Sequence, residues 1–396
     1  MQFVHISDNH LGYRQYNLDE RERDFYNSFN ECINKIIEIK PDFVIHSGDL
    51  FESPEPSINA IYTAMEGFNK LKRYNIPIYI IHGNHDLPKR SSKGSPFRIL
   101  KGVLGDSLKT FSNKKYHIFR KGNEEIFIGG SDFTYKSKIN NLFEDYKLIE
   151  EKSKQYNKKI LLFHQSVYSY SNLPMYELQL NNFPKGFNYY AGGHIHQRIL
   201  KPVNNNIDCP KEKNGTNSVF AYSGSTEIRS YDEYRDYEND GKGFYLVDMS
   251  GGDFDKSDVN KIDIKVHKID IKCRDFIIDK RIEDKDDFES FMDELNSKSN
   301  PVVISSVVKE FFGHLHSILA KKALYSRLSI SEPDIENAII DIQNKNMDEL
   351  FKEFLKSKNY DIDFVYGIYN EVLNDKDLYS CLDEYFKKII NGNNAT

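Results

Sequence analysis

The chain has 396 residues, enough for two or three domains with cores of their own. With 39% hydrophobic and 29% charged residues it reads as globular, and no apolar run approaches the roughly 18 residues a membrane helix requires. The net charge of -6 argues against binding nucleic acid with the whole surface and suits a chain that gathers divalent cations; a local basic groove remains compatible with it. Cys32, Cys209, Cys273 and Cys381 are scattered without a CxxC spacing, which argues against a zinc knuckle or a disulfide framework and fits a reducing cytosol. The opening Met-Gln-Phe-Val-His-Ile is already strand-like, with no basic lead or cleavage site, so a cytoplasmic location is expected.

Residues 3–7 form the first expected strand, with Asp8-Asn9-His10 at its end. A helix is expected from Asp19, where Asp19, Glu20 and Glu22 favour an N-terminus, and Phe25, Phe29, Ile33, Ile36 and Ile37 recur on one face. Pro41 stops it. Residues 43–47 read as a buried strand, Gly48 frees the backbone, and Asp49 is left at the strand's C-terminal end. A strand-helix-strand unit makes these two strands parallel and brings both carboxylates to one sheet edge.

The pattern repeats with a helix over 58–73, a strand over 76–81 and the loop Gly83-Asn84-His85-Asp86. A short helix near 96–104 precedes a strand over 125–130 and a helix over 139–156. Strands over 160–163 and 189–193 end at His164 and at His194-Ile195-His196. Residues 204–218 read as a polar surface insertion, and 219–222 and 243–248 as strands of a second sheet. Beyond Gly251 the character changes. A strand over 262–271, a helix over 284–295, a strand over 302–308 and a helix with His314 and His316 suggest a small α/β domain. From Pro333 three short amphipathic helices follow, which either pack on their own protein or dock a partner chain. The expected division is 1–255, 256–332 and 333–396.

Five strand ends thus carry metal-ligand chemistry: Asp8 with His10, Asp49, Asn84 with His85, His164, and His194 with His196. In an open α/β sheet ligands bind at that edge. A mixture of carboxylate, imidazole and amide donors suits manganese or iron better than a structural zinc site. Asp49, with two oxygens, is expected to bridge two ions, a pair that activates water and absorbs charge at a phosphoester. His85, beside Asn84, is the expected acid toward the leaving oxygen, oriented by Asp86. His5, His46 and His82 read as support from behind, and His117, His267, His314 and His316 as structural. Arg14, Lys89, Arg90, Lys93 and Arg198 flank these segments and are candidate phosphate contacts, with Tyr13 and Tyr16 either stacking or packing.

The series Asp8-x-His10, Gly48-Asp49, Gly83-Asn84-His85-Asp86, His164 and Gly193-His194-x-His196 resembles the calcineurin-like metallophosphoesterases over about residues 1–250. The stretches Asp8-Asn9-His10-Leu11-Gly12-Tyr13, Ser47-Gly48-Asp49-Leu50-Phe51, His164-Gln165, the run 189–196 and Tyr222-Ser223-Gly224-Ser225 resemble, within them, the archaeal double-strand-break repair nucleases and their bacterial SbcD counterparts. The resemblance implies a four-layer αββα core, an α+β capping domain and a helical C-terminal segment. It implies two Mn2+ ions, with Fe2+ or Mg2+ as substitutes. One would take Asp8, His10, Asp49 and His196, the other Asp49, Asn84, His164 and His194, with His85 the non-ligand catalytic residue. It further implies 3'-5' exonuclease activity on duplex DNA, endonuclease activity on single strands, and a nucleoid-associated role at DNA ends. The implied assembly is a homodimer through 57–71 and 95–104, with a coiled-coil ABC-type ATPase bound near 347–390. Other two-metal phosphatases, or an end-binding scaffold with dispensable hydrolysis, are the alternatives. Glu52 stands where several members of the family carry His, and Gly192 replaces a common Leu.

Overall fold

The computed structural model describes residues 1–88, 94–168, 176–203, 218–249 and 262–331, with a few positions between 351 and 369. Residues 1–307 with 311–329 form one compact unit. Strands β1 (Gln2–Ile6), β2 (Phe43–His46), β3 (Ile78–Ile80) and β4 (Leu108–Thr110) run parallel in that order. Helices α1 (Asp19–Ile39), α2 (Ile58–Arg73) and α3 (Phe97–Leu104) make the crossovers. Helix α1 ends on Lys40, whose left-handed backbone (φ 56°) turns the chain into Pro41, and α2 starts on Ser57, whose hydroxyl accepts from Ala60 N at 3.2 Å.

The second sheet has the order β5 (Tyr116–Lys121), β6 (Glu124–Gly130), β7 (Lys158–Phe163), β8 (Tyr189–Gly192), then β10 (Val219–Tyr222) and β9 (Ile199–Pro202) at the far edge. Within it β6, β7, β8 and β10 are parallel. Helix α4 (Ile139–Ser153) lies on its outer face, and α5 (Asp232–Asp240) follows β10.

Strict alternation explains the layering. Phe3, Phe43, Ile45 and Tyr79 of the first sheet meet Ile160, Leu162, Tyr189 and Ala191 of the second in one buried layer. Their neighbours Val4, Ile6, Val44, Ile78 and Ile80 pack outward on α1, α2 and α3. Leu161, Phe163 and Tyr190 pack outward with Leu142, Tyr146 and Ile149 of α4. The result is the αββα sandwich.

Two strands fall where the sequence pattern does not put them. β11 (Lys242–Asp248) pairs antiparallel with β1 in the first sheet, and β12 (Lys265–Ile271) pairs with β11. A run apolar on both faces marks a strand between two layers, but does not say which sheet it joins. The first sheet therefore extends to Ile271, past residue 255.

Beyond it β13 (Phe276–Ile282), β14 (Val302–Val307) and β15 (Tyr325–Ile330) form a three-stranded sheet. Its outer face packs on α6 (Lys285–Ser297) and α7 (Lys309–Lys322) through Ile277, Phe291, Val303, Leu315 and Leu319. Its inner face packs through Phe276, Ile278 and Val302 on Ile228 and Tyr234. Asp24 of α1 ties the two parts, accepting from Arg274 Nε at 2.8 Å and pairing with fully buried Arg21. Past residue 331 the second unit, 308–310 with 330–396, is described at only a few helical positions, among them Phe351 and Tyr369, whose rings lie 4.7 Å apart. All of the expected insertion over 204–218 except Ser218, and the expected docking helices apart from those few positions, lie outside the described residues.

Candidate metal centre

The C-terminal ends of β1, β2, β3, β7 and β8 converge where the two sheets meet. The chain is bent sharply there. Asp8 (φ 52°), His10 (φ 47°), Asp49 (φ 53°) and His194 (φ 87°) all take left-handed backbone conformations that side chains with a Cβ disfavour. Each costs about 1–3 kcal/mol, and such strain persists where surrounding contacts over-determine it. Here they do: Asp8 N donates to Gly48 O at 3.0 Å, His10 N to Asp49 O at 3.1 Å, His85 N to Asp49 Oδ1 at 2.9 Å and His194 N to Asp8 Oδ1 at 3.0 Å. Two glycines make the approach possible. A Cβ on Gly83 would stand 2.1 Å from Asp49 Oδ1, and one on Gly193 would stand 2.1 Å from Ser47 O.

The bends aim two groups of donors at one another. Asp8, His10 and His196 form one, with His10 Nε2 and His196 Nε2 3.0 Å apart and Asp8 Oδ1 4.0 Å from His196 Nε2. Asp49, His164 and His194 form the other, with Asp49 Oδ2 3.2 Å from His164 Nε2. Asn84 Oδ1 joins the second group, 3.1 Å from His164 Nε2 and 3.0 Å from His194 Nδ1. Asp49 Oδ2 also lies 3.8 Å from His10 Nε2, so this carboxylate faces both groups.

The outward ring nitrogens are tied. His196 Nδ1 donates to Glu233 Oε1 at 2.6 Å and His164 Nδ1 to Ser47 O at 2.7 Å. His10 Nδ1 lies 2.9 Å from Glu52 Oε2, an ion-pair contact, and neither atom makes a hydrogen bond. Anchoring one nitrogen fixes the tautomer and leaves the lone pair of the other pointing inward. Imidazole nitrogens, carboxylate oxygens and an amide oxygen converge at 3–4 Å in a buried space, a donor set that fits divalent metal.

Burial opposes charge on His164, yet Asp49 beside it carries its pKa up to about 9. Burial also favours a neutral Asp49, but His164 and His10 hold its carboxyl well below the usual range. Burial and the neighbouring His164 push His194 down to about 3. His196 is raised in spite of its burial, because Glu233 faces it.

Residues 1–198 match the family described as calcineurin-like phosphoesterase. The DNA double-strand break repair protein Mre11 of Methanococcus maripaludis is 51% identical over 393 residues, spanning 98% of this chain and 99% of that one. Its namesake from Methanocaldococcus jannaschii is 41% identical over 394 residues, 99% of this chain and 100% of the relative. The namesake from Saccharolobus solfataricus is 38% identical over 253 residues, 63% of this chain and 61% of the relative. This chain belongs to the Mre11 family of calcineurin-like phosphoesterases. It is accordingly a metal-dependent phosphodiesterase.

In this Mre11-family chain all seven expected donors, Asp8, His10, Asp49, Asn84, His164, His194 and His196, stand at the convergence of strand ends. His85 stands there too, its ring 5.0 Å from that of His10. Asp86 does not orient it. The Asp86 carboxylate accepts from Gly83 N, Phe51 N and Leu50 N, and His85 Nδ1 instead donates to Glu52 O at 2.8 Å. Arg198 is no phosphate contact: it is buried, donating to Asp240 O and Ile269 O and paired with Asp270. Arg14 is exposed and paired with Asp19 at 2.7 Å, while Lys89, Arg90 and Lys93 lie outside the described residues. Tyr16 stacks on Tyr325 at 3.9 Å, and Tyr13 packs edge-on to Phe25. His5 bonds Ser47 Oγ and Tyr189 OH, and His46 bonds Asn9 Oδ1, both from behind the site.

Sequence reasoning misses Glu233, Lys242 and Arg229. Glu233 holds His196 and is itself held by Lys242 Nζ at 2.8 Å. Arg229 pairs with Glu52 at 2.8 Å and stands over the ring of Tyr13. Nothing local marks them, since Glu233 reads as an ordinary acidic residue in the first turn of α5.

Proposed function

We propose that this chain is a nuclease that processes DNA double-strand breaks; its relatives from Methanococcus maripaludis and Methanocaldococcus jannaschii are DNA double-strand break repair proteins. The reading includes two Mn2+ ions, replaceable by Fe2+ or Mg2+. It includes 3'-5' exonuclease action on duplex DNA and endonuclease action on single strands. The observation that carries it is Asp49 facing two separate donor groups at once. Asp8, His10, Asp49 and His196 would hold one ion, and Asp49, Asn84, His164 and His194 the other. When bound, such a pair supplies Lewis acidity toward a phosphoryl oxygen and lowers the pKa of water.

The chain's own residues do the rest. Asp49 and Asp8 hold their carboxyl groups at fixed positions in a buried space. His164 and His196 are aimed by Ser47 O and Glu233 and need no reorganisation. His85 carries hydrogen on Nδ1, because a carbonyl oxygen can only accept. Its Nε2 is therefore the nitrogen left to take up a second proton, and the imidazolium so formed passes that proton to the leaving oxygen, which the part-exposed ring can reach.

A cleft of about 840 Å³ between the core and the three-stranded sheet supports a nucleic acid substrate. Tyr13, Tyr16, Arg229, Arg281, Tyr325 and Arg327 line it, and arginines with aromatic rings suit a phosphate backbone and its bases. Exposed Ile58 and Tyr62 on α2, with Ile99 and Val103 on α3, support a homodimer through these helices. The proposed parts are a phosphoesterase core (1–255, with β12 added), a cap reaching 332, and a tail, 333–396, that docks a coiled-coil ABC-type ATPase near 347–390.

The test compares Mn2+-dependent breakdown of single- and double-stranded DNA with that of a small chromogenic phosphodiester, for the wild type and His85→Ala. The reading expects DNA cleavage that His85→Ala abolishes while Mn2+ binding persists. Hydrolysis of the small ester alone would overturn it.

A further inference from the structure

We propose that Glu52 is a positioning residue that sets the tautomers of two rings at once, His10 through its side chain and His85 through its main chain. The inference rests on the two-metal reading above. Glu52 Oε2 lies 2.9 Å from His10 Nδ1, a close charge contact, and both atoms are buried and make no hydrogen bond. A carboxylate on Nδ1 keeps the hydrogen there and leaves Nε2 as the lone-pair nitrogen. That Nε2 is the atom 3.0 Å from His196 Nε2 and 3.8 Å from Asp49 Oδ2. The carboxylate therefore stands behind the His10 ring and acts on a bound ion through it.

The same residue's carbonyl oxygen accepts from His85 Nδ1 at 2.8 Å. One residue thus faces a metal-group imidazole with its side chain and the proton-donor imidazole with its backbone. His10, Glu52 and His85 form a third cluster of potential donors beside the two that share Asp49.

Glu52 is itself pinned. Oε1 accepts from Arg229 Nη2 at 2.8 Å, which turns Oε2 toward His10. Its N–H donates to Leu11 O at 3.1 Å, Leu11 N donates to Leu50 O at 2.9 Å, and the N–H groups of Leu50 and Phe51 lie on the Asp86 carboxylate. The segment that carries Asp49 into the centre therefore also carries Glu52 behind it, three residues on, in a fixed backbone.

The two jobs separate by mutation, since substitution removes the side chain and keeps the carbonyl. Full-length metal-free wild type, Glu52→Ala and Glu52→Gln are titrated with Mn2+ by calorimetry, and kcat and KM are measured on a chromogenic phosphodiester. Glu52→Ala is expected to weaken one of two Mn2+ sites by about 10–100-fold, the site that His10→Ala removes, and to leave the other unchanged. Its kcat falls and its KM holds. Glu52→Gln, whose amide oxygen still accepts from His10 Nδ1, recovers most of the affinity. Unchanged binding in Glu52→Ala, equal loss at both sites, or a Gln variant no better than Ala would each overturn the role of Glu52. A wild type that fails to bind two ions would instead overturn the two-metal reading beneath it.

Discussion

Glu233 joins metal affinity to folding stability, and the two effects can be pulled apart. Its Oε1 holds His196 Nδ1 at 2.6 Å, and its Oε2 accepts from Lys242 Nζ at 2.8 Å, Ser225 Oγ at 3.0 Å and Arg229 N at 3.2 Å. Lys242 is 1% exposed, so Glu233→Ala leaves a buried ammonium without its counter-charge. Breaking such a pair costs about 3–5 kcal/mol. The lower end is expected, because Lys242 keeps His196 O at 2.9 Å and Ser225 Oγ at 2.6 Å. Scanning calorimetry of the metal-free protein should find the midpoint lowered by roughly 4 °C. Mn2+ affinity should fall about 10–100-fold, because His196 loses its anchor. Adding Lys242→Met removes the stranded charge, so the double variant should regain most of the stability while its Mn2+ binding stays weak. A Glu233→Ala melt that matches the wild type, or a double variant that regains both properties, would refute the reasoning.

Three further outcomes are expected. Gly83→Ala puts a methyl 2.1 Å from Asp49 Oδ1, so Mn2+ binding should be lost while circular dichroism shows a folded chain; binding of both ions would contradict the packing described. Arg198→Ala should lower stability by about 3 kcal/mol, through two carbonyls that lose a donor, and leave the salt dependence of DNA binding unchanged. A salt slope smaller by about 0.9 would instead mark Arg198 as a phosphate contact. Because His164 has a pKa raised to about 9 without metal, it is protonated at pH 7.5 and must release that proton to bind an ion. Affinity should therefore rise with pH from 6.5 to 9, and calorimetry at pH 7.5 in buffers of different ionisation enthalpy should detect proton release; heats independent of the buffer would contradict this.

The convergence of the candidate donors was legible because each sits at a strand end, and a strand end can be read from an apolar run that stops at Gly or a polar residue. Asp49 after residues 43–47 and His164 after residues 160–163 are of this kind. What surrounds the ligands was not legible. Glu233 and Arg229 reach the site from the stretch after β10, and only the three-dimensional path brings them beside His196 and Glu52. The same limit put β11 in the other sheet: apolar residues on both faces say that a strand is sandwiched, and its neighbours are a matter of topology. Arg198 shows the reverse error, a cation near the site in sequence that the fold turns inward onto β11 and β12 residues.

The claim beneath all of this is that the Asp49 carboxylate is shared between two cations. Anomalous diffraction from crystals soaked in Mn2+ tests it directly. Two peaks flanking Asp49, one beside His10 and His196 and the other beside His164 and His194, are the predicted result. A single peak, or two that both leave Asp49 out of coordination distance, would contradict it.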